Sequence, residues 1–102
     1  MNLGSTIKML RRDKGFKQYA FAKICGISPT YLSQIENNAK EPNLSRLRVI
    51  AKKLGMPLPV LFFLTLDEND IKPEKKQAFN HLAPSIKAMI EEFFMNSAKA
   101  ND

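Results

Sequence analysis

The chain has 102 residues, enough for one small domain or for one domain with a short appendage. Apolar residues make up 44% of the sequence, which is ordinary for a globular protein and too high for a disordered one. The formal net charge of +6 is uneven, because residues 1–64 carry +8 and residues 65–102 carry −2, so a surface that binds a polyanion is expected in the first part.

Residues that are missing or rare exclude several classes of protein. A single cysteine, Cys25, excludes an internal disulfide framework, favours the reducing cytoplasm and is expected to be packed rather than reactive. The chain lacks the apolar segment of a secretion signal, and no stretch approaches the roughly 18 apolar residues of a membrane span. No metal-ligand spacing, nucleophile–base set or glycine-rich phosphate loop is present. We therefore expect a cytoplasmic protein that is not an enzyme, needs no cofactor and binds no membrane.

Apolar spacing and turn residues predict an all-α fold with five helices in the first 66 residues. The predicted helices are Leu3–Lys14, Gln18–Cys25, Pro29–Asn37, Ser45–Leu54 and Leu58–Leu64. The apolar face of the fourth helix contains Leu44, Leu47, Ile50, Ala51 and Leu54. Pro57 and Pro59 lie in the first turn of the fifth helix, where a missing N–H costs little.

The last third of the chain is expected to be a linker followed by two further helices. Residues 67–70 form the linker, a short helix follows Pro73 and ends near Leu82, and a last helix runs from Pro84 to about Ala98. The last helix carries an apolar arc, which consists of Ile86, Met89, Ile90, Phe93 and Phe94. Such an arc needs a partner surface, either on the same domain or on a second copy of the chain.

The segment between Gln18 and Asn37 has the residues of a helix-turn-helix, in which two helices meet at a tight turn. Ala22 is small where the two helices must approach closely, and Gly26 can adopt the positive φ that the turn needs. Ser28 can cap the second helix of the motif, and the proline that follows suits its first turn. The apolar residues that anchor the unit are Ile27, Leu32 and Ile35.

This pattern resembles the Cro/repressor-type helix-turn-helix of phage repressors and many small bacterial regulators. The shared residues are Gln18, Ala22, Gly26, Leu32 and Ile35, followed by Ile-Glu-Asn-Asn and Pro42, within a resemblance that extends from about Leu3 to Phe63. It implies a five-helix DNA-binding domain in residues 1–66, and it leaves residues 67–102 as a linker and helical tail for dimerisation or packing. It also implies a transcription regulator that binds double-stranded DNA as a homodimer and can contact RNA polymerase.

At 100° per residue, the polar face of the third helix lies opposite its apolar face and points away from the core. This polar face is predicted to read bases. The residues predicted to read bases are Pro29, Thr30, Ser33 and Gln34, where the resembled family contacts base edges. Gln34 suits adenine N6 and N7, and Thr30 suits a thymine methyl group. No Arg or Lys faces the groove from this helix, so the expected preference leans towards A·T-containing steps. The alternative is a solvated face that contacts nothing.

Residues that flank the third helix are predicted to contact phosphates. They are Lys17, Gln18, Asn37, Asn38, Lys40, Asn43 and Arg46. Gln18 lies at the N-terminus of a helix, which favours an anion, and in the resembled family this glutamine also orients the third helix. Lys14 is expected to be a solvated charge. The resemblance further implies a partly buried ion pair between Arg11 and Glu36, whereas two independent surface charges would contribute only about 0–1 kcal/mol.

These observations favour a sequence-specific regulator on an inverted-repeat operator, and two alternatives remain. The chain could be a restriction-modification controller or the antitoxin of a toxin–antitoxin pair, with an endonuclease or toxin gene beside its own. It could instead be a protein-bridging module of the co-activator kind that keeps the fold without reading DNA. Selection of bound DNA from a random pool distinguishes a regulator from the protein-bridging module, because only a regulator enriches a two-fold consensus.

Overall fold

Residues 1–95 are described by the computed structural model, and this part of the chain is helical and contains no β-strand. Its α-helices are α1 (Leu3–Asp13), α2 (Gln18–Cys25), α3 (Pro29–Glu36), α4 (Leu44–Lys53), α5 (Leu58–Thr65) and α6 (Lys76–Phe94). Two short 3-10 turns, Glu68–Asp70 and Pro73–Lys75, connect α5 to α6. The predicted all-α class is confirmed. Throughout residues 1–95, each helix falls short of the length or the apolar character that crossing a bilayer would require.

Local backbone chemistry sets the ends of α3. Gly26 has a φ of 73° at the end of α2, which lets the chain reverse direction there. Ser28 Oγ then accepts a hydrogen bond from the N–H of Tyr31 at 3.0 Å, so α3 begins with a side-chain cap. Asn38 has a φ of 61° just after α3, a left-handed conformation that asparagine tolerates. The entry and exit of α3 are therefore both fixed by residues of the expected type.

One hydrophobic core holds α1 to α5 together. Its fully buried side chains are Ile7, Leu10, Phe21, Ala22, Leu32, Ile35, Ile50, Leu54 and Leu61. Leu44 was expected on the apolar face of α4, and that expectation is wrong because its side chain is exposed. Leu44 is the first residue of α4 and lies at the edge of the apolar arc of the helix, which accounts for its exposure.

The predicted break at Pro84 is also wrong, because α6 is one continuous helix with Pro84 inside it. Proline lacks the N–H that would bond the carbonyl one turn earlier, and this loss usually ends or kinks a helix. Here Ala83 and Ile90 are both buried against the rest of the chain, and Phe94 packs against the core. Tertiary packing on both sides of the proline thus offsets one missing hydrogen bond. The last residues of the predicted helix, 96–98, lie outside the described residues.

Long-range polar contacts fasten the C-terminal part to the five-helix domain. Lys14 was expected to be a solvated charge, but its Nζ donates a hydrogen bond to the carbonyl oxygen of Phe94 at 2.9 Å. A cation is favoured at a helix C-terminus, where carbonyl groups lack helical partners. At the other end, the N-terminal amine of Met1 pairs with Asp70 at 2.8 Å. This contact raises the pKa of the amine and lowers the pKa of the Asp70 carboxyl through the shared hydrogen bond.

Candidate nucleic-acid interface

The third helix presents a small polar face while its opposite face is locked into the core. Pro29 and Thr30 are exposed and Ser33 and Gln34 are partly exposed, whereas the adjacent Leu32 is fully buried. The separation follows from the period of the helix, which places the four polar-face residues within one arc. The structure therefore brings all four residues predicted to read bases together on one accessible surface.

The side chains on this face are free to make outside contacts. Among residues 1–95, no hydrogen bond engages the side chain of Thr30 or Gln34. Ser33 Oγ accepts only a long contact from Asn37 Nδ2 at 3.5 Å, near the limit of a hydrogen bond. An amide with its donors and acceptor unused can bond an adenine edge bidentately, and a free hydroxyl can bond a base or a phosphate.

A buried ion pair ties the end of α3 to α1. Arg11 Nε donates to Glu36 Oε2 at 2.7 Å, and Arg11 Nη2 donates to Glu36 Oε1 at 3.1 Å. The side chains are 7% and 1% exposed, so this is a bidentate buried contact and not a pair of solvated charges. Arg11 Nη1 also donates to the carbonyl oxygen of Phe16 at 2.7 Å, which secures the loop before α2.

Gln18 extends the same network to the N-terminus of α2. Its Nε2 donates to Glu36 Oε1 at 3.0 Å, so a single carboxylate accepts hydrogen bonds from Arg11 and Gln18. The remaining amide hydrogen and the Oε1 of Gln18 stay available, and its helix N-terminus favours a phosphate. Gln18 is thus placed to couple a backbone contact to the orientation of α3.

The other residues predicted to contact phosphates fall into two groups. Lys17 and Lys40 are exposed at the two ends of the motif, and neither ammonium group is engaged by a residue of the described chain. Asn43 uses its Oδ1 to cap α4 through the N–H of Arg46 at 2.9 Å. Arg46 in turn lies over the ring of Tyr31, 5.3 Å from the centroid, which orients its guanidinium beside α3. Contact of these residues with phosphate stays a prediction.

Asn38 has a structural role that the sequence interpretation missed. Its Oδ1 accepts a hydrogen bond from the N–H of Gly4 at 3.0 Å, which caps the N-terminus of α1 from the far end of α3. The two elements approach so closely that a Cβ on Gly4 would lie 2.3 Å from the carbonyl oxygen of Ile35. A glycine inside a helical pattern can indicate a close approach of another element. Gly4 was therefore the residue from which this contact could have been predicted.

Cys25 is packed as expected beside the turn. Burial raises the pKa of its thiol to about 11, although the nearby Lys53 acts in the opposite direction. Such a thiol is almost entirely protonated near neutral pH and is a weak nucleophile. Residues 1–95 also contain no group of three acidic, histidine or cysteine side chains suited to a metal ion.

Comparison with known proteins identifies the family. The sequence model described as helix-turn-helix matches residues 7–61, from α1 to α5 and more than half of the chain. The chain belongs to the helix-turn-helix family. Its relatives include phage immunity proteins and bacterial regulators, so the Cro/repressor type predicted from the sequence is confirmed. This is a non-enzymatic family of DNA-binding transcription regulators, as expected.

Individual relatives of this helix-turn-helix protein differ in how much they share with it. It is 44% identical over 59 residues to the ImmF control region 10 kDa protein of Bacillus phage phi105, covering 58% of this chain and 66% of that protein. It is 27% identical over 101 residues to the immunity repressor protein of the same phage, covering 99% and 68%. It is 32% identical over 75 residues to the HTH-type transcriptional regulator RamB of Mycobacterium tuberculosis, but spans only 15% of RamB.

A solved structure supports the same assignment. The fold is similar to the crystal structure of the clp gene regulator ClgR from C. glutamicum, with a TM-score of 0.61 and 25% sequence identity. The similarity covers 71% of this chain and 91% of the ClgR chain. The shared part is therefore larger than the helix-turn-helix unit alone.

Proposed function

We propose that this protein is a sequence-specific DNA-binding transcription regulator that acts as a homodimer on an inverted-repeat operator. The observation that carries the proposal is the polar face of α3, where, within residues 1–95, the side chains of Thr30 and Gln34 make no hydrogen bond while both ends of the helix are fixed. In this arrangement, Pro29, Thr30, Ser33 and Gln34 lie against base edges in the major groove. The net charge of +8 in residues 1–64 attracts the duplex.

The flanking residues hold the protein on the DNA backbone. Lys17 and Gln18 contact a phosphate from the start of α2, and Lys40 contacts another after α3. Asn37 and Asn38 lie at the end of α3, and the latter acts mainly by holding α1. In a second group, Asn43 and Arg46 position the start of α4 against the same backbone. These contacts set register and orientation and carry no sequence information by themselves.

The homodimer follows from the length of DNA that one helix can read. One recognition helix covers only about four or five base pairs, too few to distinguish a site among millions of competitors. A two-fold dimer doubles the number of base pairs and places both recognition helices on one face of the duplex, about 34 Å apart. The operator is therefore an inverted repeat with half-site centres about 10–11 base pairs apart.

We favour repression over activation, because one relative, from Bacillus phage phi105, is named an immunity repressor protein. A dimer bound across a promoter blocks RNA polymerase by occupying the DNA. The protein would act in the cytoplasm, where its operator lies. A restriction-modification controller or an antitoxin would use the same DNA-binding surface, and the neighbouring genes distinguish these alternatives.

Selection of bound duplexes from a random-sequence pool tests the proposal. We expect an enriched two-fold consensus, with footprints of at least about 15 base pairs and base contacts in two successive major grooves. The matched control is the Thr30→Ala/Gln34→Ala double variant, which should bind DNA without enriching the same consensus. If the unaltered chain enriches no sequence, it is a protein-bridging module and the proposal fails. If it enriches a single half-site bound by one chain, the homodimer is wrong.

A further inference from the structure

An apolar surface made by α5 and α6 is left uncovered by the other residues of the described part of the chain, residues 1–95. We call it the α5–α6 face, and it consists of Pro59, Phe63, Leu82, Ile86, Met89 and Phe93. Its four α6 residues are 58%, 39%, 53% and 70% exposed, in chain order. The next arc of α6, with Ala83 and Ile90, is the one that packs against the rest of the chain. Of the five residues in the apolar arc predicted for this helix, only Ile90 and Phe94 pack against the rest of the chain.

The spacing of the exposed residues is that of a helix that packs against a second helix. Residues 82, 86, 89 and 93 are separated by four, three and four positions, the alternation with which coiled-coil helices meet. At 100° per residue, the charged residues of α6 fall outside this arc. A helix partner can therefore cover the arc without burying a charged side chain.

The groove between the two helices is unsuited to a small-molecule ligand. It has a volume of about 240 Å³, and each of its lining residues is apolar. Ligand sites are usually about 300–1,000 Å³ and include a few polar groups that fix orientation. The absence of such groups from this groove favours an apolar protein surface as its occupant.

The size of the face suits a contact between two copies. Four side chains exposed to this extent leave roughly 400 Å² of apolar surface on α6, within the range of about 300–600 Å² at which a patch is often functional. A two-fold contact covers this area on both copies, or roughly 800 Å². With the α5 residues and a polar rim added, the total approaches the lower limit of about 1,200 Å² for a stable interface.

We infer that two copies of this chain associate through the α5–α6 face about a two-fold axis. The inference rests on the homodimer of the proposed function and specifies its surface. A two-fold contact is self-complementary, so this uncharged face meets an identical uncharged face. The hydrogen bond from Lys14 Nζ to Phe94 and the buried Ile90 hold α6 in place, so the face is preorganised.

The position of the face leaves the recognition helix free. α3 packs against α1 and α2, whereas α5 packs against α1 and α4. The face and the base-reading surface thus lie on different helices, and one chain can use both at once.

The oligomeric state of matched variants of the full chain tests the inference. Met89→Glu places a carboxylate in the centre of the face, and Met9→Glu makes the same change at a residue of similar exposure, 48%, on α1. We expect sedimentation equilibrium to show a dimer for the unaltered chain and for Met9→Glu. For Met89→Glu, the dimer dissociation constant should rise at least about a hundredfold, because each copy would bury an unpaired charge. Circular dichroism checks that each variant stays helical, and Leu82→Glu replaces Met89→Glu if it does not.

Further outcomes separate this inference from the proposed function. Val49→Glu makes the same change on α4, where Val49 is an exposed apolar residue outside the α5–α6 face (40% exposed) and offers an alternative surface for a two-fold contact. If Val49→Glu dissociates the dimer, or if Met89→Glu remains a dimer, the α5–α6 face is wrong and the homodimer stands. If the unaltered chain is a monomer both free and on DNA, the homodimer itself is wrong. On an inverted repeat, Met89→Glu should keep its affinity for one half-site and lose cooperative binding to the second.

Discussion

Replacing Glu36 by glutamine should strongly destabilise the folded chain. The Glu36 carboxylate accepts hydrogen bonds from Arg11 Nε at 2.7 Å, Arg11 Nη2 at 3.1 Å and Gln18 Nε2 at 3.0 Å. Glutamine keeps the shape of the side chain but converts one oxygen into an NH₂ donor, which then faces other donors. The guanidinium of Arg11 also remains buried without its anion.

The expected loss follows from the burial of the pair. The side chains of Arg11 and Glu36 are only 7% and 1% exposed. The stabilisation of about 0–1 kcal/mol that is typical of surface ion pairs therefore does not apply to them. Removing one partner of a buried pair costs about 3–5 kcal/mol. Glutamine retains one acceptor oxygen, so we expect a cost near the lower end of this range. With a urea slope of about 1.5 kcal/mol/M, a loss of about 3 kcal/mol lowers the unfolding midpoint by roughly 2 M.

Urea unfolding, followed by far-ultraviolet circular dichroism at one protein concentration, measures this loss. Glu41→Gln is the matched control, because it removes the same charge from an exposed loop residue and should leave the midpoint unchanged. The Arg11→Met/Glu36→Leu double variant should lose less stability than the sum of its single changes, since neither charge is then stranded. A Glu36→Gln midpoint within about 0.5 M of the unaltered chain would show that the pair contributes no more than an exposed one.

Other changes test separate parts of the structure. Gln34→Ala should cost about 1–3 kcal/mol on the selected operator and relax the preference at one position per half-site, whereas an even loss over all sequences in a binding titration would make Gln34 a backbone contact. Lys40→Ala should weaken binding to all sequences alike and reduce the salt slope by about one unit, and an unchanged slope would remove it from the interface. Gly4→Ala should lower the urea midpoint of unfolding, although alanine favours helices, because its Cβ would lie 2.3 Å from the Ile35 carbonyl oxygen. A rise in this midpoint would contradict the close approach. At pH 8, Cys25 should react with a disulfide reagent roughly a hundredfold more slowly in the folded chain than in urea, because its pKa of about 11 leaves little thiolate. Equal reaction rates would show that the thiol is accessible and ionised in the folded chain.

Features with local causes could be predicted from the sequence. The cap from Ser28 and the positive φ values at Gly26 and Asn38 depend on neighbouring residues, and all three are formed. The resemblance also pointed to contact between Arg11 and Glu36, although it gave neither the bidentate geometry nor the depth of burial.

Features that depend on tertiary packing could not be predicted. The continuation of α6 through Pro84 requires the burial of residues on both sides, which local propensity ignores. The contact of Lys14 with Phe94 spans 80 positions, and that of Asn38 with Gly4 spans 34. The sequence revealed which side chains are polar on α3, but it could not show which polar side chains would be occupied by internal partners.

The fastening of α3 at both ends has a consequence for the kinetics and thermodynamics of DNA binding. The Ser28 cap fixes its start, and the network of Arg11, Gln18 and Glu36 fixes its end before any duplex is present. In its proposed role as the recognition helix, α3 should therefore lose little conformational freedom on entering the groove. Binding should proceed as rigid docking, without the large heat-capacity change of a segment that folds on its target. Its association rate should then be governed by the attraction between the basic domain and the phosphates and should fall steeply as salt is added.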